Sequence, residues 1–260
     1  MTRRIRSALL VAVMAAWGLA GTPAAGQQAA PALYGYEVVA TYPHDPGAFT
    51  QGLVYRDGVL FESTGLRGES TLREVRLETG EVVRRRALAR QYFAEGLALW
   101  EDRLVQLTWT SGVGFVWDAR TFDAVRTFGY AGEGWGLTND GRRLILSDGT
   151  EWLRFLDPDT LAEIGRIRVT DGGRGVRNLN ELEYVEGVVY ANVWQTDRIA
   201  MIDSDTGRVA GWIDLEGLLP AEHRRGTDVL NGIAWDPDGR RLFVTGKLWP
   251  TLYQIRLVPR

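Results

Sequence analysis

The segment Glu95-Gly96-Leu97, with the turn Glu101-Asp102 and the apolar pair Leu104-Val105 after it, is one of five copies of a single pattern in this chain. The other copies begin at Gln51-Gly52-Leu53, Trp135-Gly136-Leu137, Asn180-Glu181-Leu182 and Asn231-Gly232-Ile233. Their apolar anchors recur about every 40 to 50 residues, which is the period of β-propeller blades when each unit is built of strands. The repeat therefore predicts an all-β fold, a five-bladed β-propeller, in which equivalent positions of all units meet around a central channel.

The residues between the anchors favour strands rather than helices. Turn sequences such as Asp57-Gly58, Asn139-Asp140-Gly141 and Asp238-Gly239 are typical of hairpins, because glycine and asparagine adopt the positive φ that these turns need. Only residues 221–225 are expected to form a helical turn. The last unit is one strand short, and residues 35–42 are expected to supply the missing strand. A single domain would then span residues 34–260.

The N-terminal residues are typical of an export signal. Arg3, Arg4 and Arg6 precede an apolar stretch that is short for a membrane span, and small residues follow it. We therefore expect a signal peptide over residues 1–26, a flexible tail over residues 27–33, and an exported protein that is periplasmic or secreted. Cleavage after Gly26 would make Gln27 the first residue of the mature chain, whereas cleavage after Ala24 would leave Ala25 first.

The composition argues against several functions. The formal net charge is −3 and becomes more acidic without the N-terminal arginines, which disfavours nucleic acids and anionic membranes as partners. The chain has no cysteine, so its stability does not depend on disulfides. Its two histidines, His44 and His223, lack a metal-ligand spacing, so no cofactor is expected to be required for catalysis. The sequence leaves open a structural calcium site, for which Glu95, Glu181 and Asn231 could supply some of the ligands.

The register of the repeat identifies candidate site residues. The positions just before the anchors would begin the innermost strands and face the channel; they hold Gln51, Glu95, Trp135, Glu181 and Asn231. The equivalent positions near the ends of the second strands hold Gly65, Trp109, Gly149, Trp194 and Lys247. One end of the channel would therefore present carboxyl and carboxamide groups, indoles and an ammonium group. Such a set suits a pocket for a small, mostly uncharged group.

Two of these residues are the strongest candidates for chemistry. The chain has 30 lysine and arginine residues, of which Lys247 is the only lysine. The position therefore favours a compact, rotatable ammonium group over a planar guanidinium. Glu95 follows Phe93 closely, and a lone carboxyl group among aromatic rings would have a raised pKa that suits general acid–base catalysis.

The same stretches carry a resemblance to a known family. Its motifs are Phe49-Thr50-Gln51-Gly52-Leu53, Ser63-Thr64-Gly65-Leu66, Phe93-Ala94-Glu95-Gly96-Leu97, Leu107-Thr108-Trp109, Gly134-Trp135-Gly136-Leu137, Ser147-Asp148-Gly149-Thr150, Asn180-Glu181-Leu182-Glu183 and Asn231-Gly232-Ile233-Ala234. From Tyr36 to the C-terminus, the chain resembles the plant- and bacterial-type glutaminyl-peptide cyclotransferases, as in papaya latex. The family pattern usually reads Phe-Gly-Glu-Gly where this chain has Phe93-Ala94-Glu95-Gly96, a change that leaves the carboxyl group in place.

The resemblance implies a five-bladed propeller, unrelated to the zinc-dependent animal enzymes, that converts N-terminal glutamine to pyroglutamate and releases ammonia. It implies Glu95 as a proton shuttle. Gln51, Asn180 and Lys247 are the further catalytic candidates, either as donors to the carbonyl oxygen or as groups that hold the peptide backbone. Resemblance and register together indicate these substrate-binding residues: Phe49, Phe93, Trp109, Trp135, Trp194, Glu181 and Asn231. The expected partners are peptides or proteins with N-terminal glutamine, without nucleic acid or, after signal cleavage, membrane. A monomer is expected.

Two other interpretations stay open at this point. A non-catalytic periplasmic propeller that binds or scaffolds other molecules would show the same repeat, because propellers host many functions. A lactonase-type propeller hydrolase would need a central metal, for which Glu95, Glu181 and Asn231 could supply some of the ligands. A scaffold, however, has no need of an isolated carboxyl group among indoles, and this favours the cyclotransferase.

Overall fold

A computed structural model of the protein describes residues 30–260. The predicted signal peptide, residues 1–26, and the candidate first residues of the mature chain, Ala25 and Gln27, lie outside the described residues. The only helix within residues 30–260 is the 3-10 helix Ala221–His223, where a helical turn was expected. None of the described residues form a helix with the length and apolar character needed to cross a membrane. The all-β prediction is confirmed.

The strands form five four-stranded antiparallel units. The strand β1 (Ala32–Pro43) precedes the first unit, which contains β2 (Thr50–Arg56), β3 (Val59–Thr64), β4 (Thr71–Arg76) and β5 (Val82–Ala87). The second unit contains β6 (Ala94–Trp100), β7 (Arg103–Thr108), β8 (Val113–Asp118) and β9 (Ala124–Gly129); the third contains β10 (Leu137–Asn139), β11 (Leu144–Ser147), β12 (Trp152–Leu156) and β13 (Glu163–Arg168). A short hairpin of β14 (Thr170–Asp171) and β15 (Arg174–Gly175) leads to the fourth unit, which contains β16 (Leu179–Val185), β17 (Val188–Val193), β18 (Arg198–Asp203) and β19 (Val209–Asp214). The fifth contains β20 (Leu230–Asp236), β21 (Arg241–Gly246) and β22 (Thr251–Pro259), and β1 is its fourth strand.

The N-terminal strand completes the fifth unit, as expected from the sequence. β1 pairs with β22 in antiparallel register, from Tyr34 opposite Pro259 to Pro43 opposite Thr251. Its first residues also pair in parallel with β19, which joins the fourth and fifth units into one eight-stranded sheet. The strand begins at Ala32, so the last two residues of the predicted tail, residues 27–33, belong to β1.

The glycines of the repeat allow the first strands of neighbouring units to approach closely. A Cβ atom on Gly52 would lie 2.5 Å from the backbone nitrogen of Leu97 in the second unit, and one on Gly96 would lie 2.5 Å from that of Leu137 in the third. A side chain at either position would therefore push the strands apart. Contacts between first strands run from β2 through β6, β10 and β16 to β20, and β20 contacts β2.

The apolar core lies between neighbouring sheets. Phe61 and Leu72 of the first unit, for example, pack with Leu104 and Trp117 of the second. Burying these side chains on both faces of a sheet stabilises each unit against its neighbours. This packing positions the N-terminal ends of the first strands. Those strand ends carry most of the candidate site residues.

Candidate active site

A cavity of about 350 Å³ opens where the first strands begin. It is lined by Phe49, Gln51, Phe93, Glu95, Trp109, Trp135, Asn180, Trp194, Gln195, Asp228, Val229 and Lys247. The structure therefore brings together all of the predicted site residues except Glu181 and Asn231. Residues from all five units meet there, although they are far apart in the sequence.

β-Bulges place the polar side chains of the cavity. In β2, β6 and β16 the pairing with the second strand of the unit shifts register at the repeated pattern. The shifts lie at Gln51, Glu95 and Asn180 respectively. A bulge leaves one residue out of the regular ladder and turns its side chain in a new direction. The same local irregularity therefore aims three polar groups at one space.

Glu95 is held by a chain of two amide side chains. It is only 5% exposed, and its Oε1 accepts a hydrogen bond of 3.0 Å from Gln51 Nε2. The amide oxygen of Gln51 in turn accepts one of 3.2 Å from Asn231 Nδ2, which also donates to the Thr50 carbonyl oxygen at 2.9 Å. Asn231 thus fixes which end of the Gln51 amide faces Glu95, and the Gln51 donor fixes the carboxyl group.

The electrostatic surroundings leave Glu95 ready to exchange a proton. Burial raises the pKa of Glu95 well above its ordinary value of 4.5. The ammonium group of Lys247 opposes this rise, and the Glu133 carboxylate adds to it. A carboxyl group with a raised pKa can both accept and return a proton near neutral pH.

Lys247 provides the positive charge of the cavity. Its Nζ lies 4.9 Å from the centroid of the Phe49 ring, a cation–π arrangement. Burial lowers the pKa of Lys247, and the carboxylates of Glu95 and Asp228 oppose the decrease. The backbone of Lys247 exchanges hydrogen bonds of 2.9 and 3.0 Å with Asp228 and Val229. That loop therefore fixes the ammonium group at the cavity wall.

The rest of the wall is aromatic. Phe93 contacts Phe49 and Trp109 edge to face, with ring centroids 6.1 and 5.6 Å away, and Trp135 meets Trp194 in the same way at 5.6 Å. Glycines make room for two of these rings, because a Cβ atom on Gly65 would overlap the Phe93 ring and one on Gly149 would overlap Trp135. The result is a stiff apolar pocket with a few polar groups, as is usual for small-molecule sites.

Asn180 lines the cavity with a buried amide side chain. Its side chain is 3% exposed, and its Oδ1 has no hydrogen-bond partner within residues 30–260. Burying an amide oxygen without a partner costs free energy.

Glu181 and Asn231, predicted to bind substrate, do not line the cavity. Glu181 occupies the position that glycine holds in the other copies, and that position faces the neighbouring first strands. Its oxygens accept hydrogen bonds from the backbone nitrogens of Leu53 at 3.2 Å and Ile233 at 2.9 Å, so Glu181 braces three units. Burial, together with Glu183, raises the pKa of Glu181 well above 4.5. Asn231 acts on Gln51 instead of on the cavity.

Glu181, a candidate ligand of the calcium site that the sequence left open, is engaged with backbone groups. Both oxygens of Glu181 already accept backbone N–H groups. In the part of the chain that the structure describes, no group of three or more His, Cys, Asp or Glu side chains is placed to hold a metal ion. A structural calcium ion stays a prediction from the sequence.

Several residues of the site were missed by the sequence analysis. Gln195, Asp228 and Val229 line the cavity, and Glu133 accepts hydrogen bonds from the indoles of Trp109 and Trp135. All four lie in loops, outside the repeated pattern. The only signal for Gln195 was that it directly follows Trp194; for the other three we find none in the repeat.

Five repeated four-stranded units contribute to one cavity, which holds a buried carboxyl group and a buried ammonium group. These features define a class of β-repeat protein whose site lies where the first strands begin. Within that class the chain belongs to the glutamine cyclotransferase family, whose model matches residues 10–257. It is 52% identical over 227 residues to the glutaminyl-peptide cyclotransferase of Arabidopsis thaliana, a match that covers 85% of this chain and 71% of that protein. The crystal structure of the Myxococcus xanthus glutaminyl cyclase superposes with a TM-score of 0.83 and 42% identity, over 88% of this chain and 99% of the other. The resemblance seen in the motifs is confirmed.

Proposed function

We propose that this protein is a glutaminyl-peptide cyclotransferase, which converts the N-terminal glutamine of peptides or proteins to pyroglutamate and releases ammonia. The observation that carries the proposal is Glu95, a buried carboxyl group with a raised pKa inside an aromatic cavity. The name and the fold of the two relatives support it. No contact in the described residues favours a non-catalytic scaffold.

We further infer that the five units are the blades of a five-bladed β-propeller. The contacts between first strands support this, because they pass through all five units and return from β20 to β2. β1 would then close the ring without a covalent bond, through its pairing with β22. In such a ring the cavity lies at one end of the central channel.

The reaction is intramolecular. The α-amino nitrogen of the substrate attacks the side-chain carbonyl carbon of the same glutamine, so that a new carbon–nitrogen bond closes a five-membered ring. The bond from that carbon to the side-chain nitrogen then breaks. The aromatic wall holds the side chain folded back towards its own amine, and enforced proximity of this kind removes much of the barrier.

Glu95 moves the proton that the reaction requires. It accepts a proton from the attacking nitrogen and returns it to the leaving nitrogen, which departs as ammonia, so that the carboxyl group ends in its starting state. The hydrogen bond from Gln51 keeps Glu95 in place through both transfers. General acid–base catalysis by one positioned group needs no other proton carrier.

The other polar groups divide the remaining tasks. Lys247, the cation of the cavity, stabilises the negative charge that develops on the carbonyl oxygen, while Gln51 holds Glu95. Asn180, whose amide lines the cavity, is left to hold the peptide backbone of the substrate. We propose that catalysis needs no metal ion, since none of these roles calls for a Lewis acid and the side chains supply a proton carrier and a cation.

We also propose, from the signal-like residues 1–26, that the protein is exported to the periplasm or the medium.

The direct test is ammonia release from a dipeptide that begins with glutamine. A dipeptide that begins with asparagine is the control, because its shorter side chain would have to close a strained four-membered ring. The proposal expects ammonia and a pyroglutamyl product from the glutamine peptide alone. Purified, folded protein that releases ammonia from neither peptide would contradict it.

A further inference from the structure

Glu133 contacts the aromatic wall although it does not line the cavity. It lies in the loop between β9 and β10. Its Oε2 accepts a hydrogen bond of 2.7 Å from Trp109 Nε1 and one of 2.8 Å from Trp135 Nε1. One carboxylate oxygen is thus shared by two indoles, both of which line the cavity.

The two indoles belong to different halves of the wall. Trp109 continues the row of edge contacts through Phe93 to Phe49, whereas Trp135 contacts Trp194. Among the aromatic contacts of residues 30–260, none joins the first half to the second. Glu133 makes that connection. Hydrogen bonds to an ionised carboxylate are short and strong, so the connection is stiff.

The loop that carries Glu133 is itself fixed on the wall. The backbone nitrogen of Gly134 donates a hydrogen bond of 3.0 Å to the carbonyl oxygen of Trp109, and Trp135 follows one residue later. The backbone of this loop therefore holds Trp109, while the Glu133 side chain holds the indoles of Trp109 and Trp135. A change at residue 133 would alter their spacing while the backbone contact remained.

We propose that Glu133 is a positioning residue that sets the distance between the two halves of the aromatic wall and thereby holds the substrate's glutamine side chain in its folded conformation. This inference rests on the proposed cyclotransferase function, because it assigns the enclosed group. Glu133 contacts neither the cavity nor the reacting atoms, and it acts through Trp109 and Trp135.

The charge of Glu133 adds a second, separable effect. The charged or titratable groups that act on Glu95 are Lys247, Glu133 and the phenol of Tyr130. Of the two charges, Lys247 lowers the pKa of Glu95 and Glu133 raises it. Removing the Glu133 charge should therefore lower the pKa of Glu95. Since Glu95 must be ionised to accept a proton, the acidic limb of the kcat/KM profile would then move to lower pH.

Two variants separate the effects, and a third serves as the control. Glu133→Gln keeps an oxygen that can accept both indole N–H groups but removes the charge, whereas Glu133→Ala removes both. The control is Glu78→Gln, an exposed glutamate in the turn between β4 and β5. The measurements are kcat and KM for a glutamine-initiated peptide across pH, and the NMR signals of the indole N–H groups, which Trp109→Phe and Trp135→Phe assign.

The inference expects Glu133→Ala to lower kcat/KM by about tenfold to a hundredfold, to raise KM, and to shift the indole signals of Trp109 and Trp135. It expects Glu133→Gln to stay within about threefold of the wild type at its pH optimum, with an acidic limb at lower pH, and Glu78→Gln to match the wild type. Wild-type kinetics in Glu133→Ala, unmoved indole signals, or a loss in Glu133→Gln as large as that in Glu133→Ala would overturn it. Wild-type protein without cyclase activity would overturn the proposed function instead, and the indole signals would still test the contacts of Glu133.

Discussion

Gln51 holds Glu95 through a hydrogen bond of 3.0 Å between the amide nitrogen and Oε1 of the carboxyl group. The two residues occupy the same position in neighbouring copies of the repeat, each at a bulge of the first strand. One copy supplies the proposed proton carrier, and the neighbouring copy supplies its support. Equivalent positions in two copies of the repeat thus perform two different chemical tasks.

Glu95→Gln tests the proton carrier. The substitution keeps the shape of the side chain but removes the group that exchanges a proton, so kcat should fall by about a hundredfold to ten-thousandfold. The fold should be retained, because a neutral amide is easier to bury than a carboxylate. Ammonia release and circular dichroism measure the two effects. Near-normal turnover in a folded variant would remove Glu95 from its proposed role.

Substitutions of Asn231 test the support of Gln51. In Asn231→Ala the Gln51 amide can rotate and Thr50 loses a hydrogen-bond donor, so kcat should fall by about tenfold and stability by about 1–3 kcal/mol. Asn231→Asp should reduce kcat further, because a carboxylate beside Gln51 attracts its amide nitrogen away from Glu95. Steady-state kinetics and urea unfolding check both variants. Equal activity in the two would show that the orientation of the Gln51 amide does not matter.

Lys247→Met should move the acidic limb of the kcat/KM profile to higher pH. The ammonium group lowers the pKa of Glu95, so its removal lets that pKa rise, and Glu95 is then ionised only at higher pH. The activity that remains should be about a hundredfold lower, because the developing negative charge loses its donor. Lys247→Arg keeps the charge and should keep the limb in place. A limb that moved to lower pH in Lys247→Met would contradict the assigned electrostatics.

Cyclase activity should survive treatment with a zinc chelator such as phenanthroline. The expectation comes from the side chains: the proposed mechanism uses a carboxyl group and an ammonium group, and the described residues contain no cluster of three or more His, Cys, Asp or Glu suited to a metal ion. Activity before and after exhaustive chelation, with the metal content of the protein measured in parallel, tests it. Activity that is lost to the chelator and restored by zinc alone would refute the metal-free mechanism.

The repeat made much of this site predictable. Gln51, Glu95 and Lys247 could be named because equivalent positions of all units meet at one end of the sheets. The repeat could not show the direction of each side chain. Glu181 stands where the other copies have glycine, and it therefore faces backbone N–H groups of other strands. Glu133 and Asp228 lie in loops, whose course depends on tertiary contacts rather than on the period of the pattern.

Away from the cavity, His44, directly after β1, forms a buried pair with Glu62. His44 Nε2 lies 3.0 Å from Glu62 Oε1 and Nδ1 lies 2.6 Å from the carbonyl oxygen of Trp249. Both ring nitrogens therefore face acceptors, which favours the charged imidazolium. Burial opposes the charge, but Glu62 and the hydrogen bonds overcome it and raise the pKa of His44 above 6.5. Burial likewise opposes ionisation of Glu62, but His44, Arg73 and Thr50 lower its pKa below 4.5.

His44→Ala should therefore destabilise the protein in a pH-dependent way. The raised pKa means that the contribution of His44 is complete below pH 6.5 and disappears as pH rises through the pKa of the folded state. The contribution of Glu62 disappears at the other end, as pH falls through its lowered pKa.

We expect His44→Ala to cost about 3 kcal/mol near pH 6, because it leaves a buried carboxylate without its main partner. Urea unfolding from pH 6 to alkaline pH should show the difference from wild type shrinking, whereas His223→Ala, a change of the exposed histidine in the 3-10 helix, should cost nothing. A difference that stayed constant over this range would mean that His44 is buried in its neutral form.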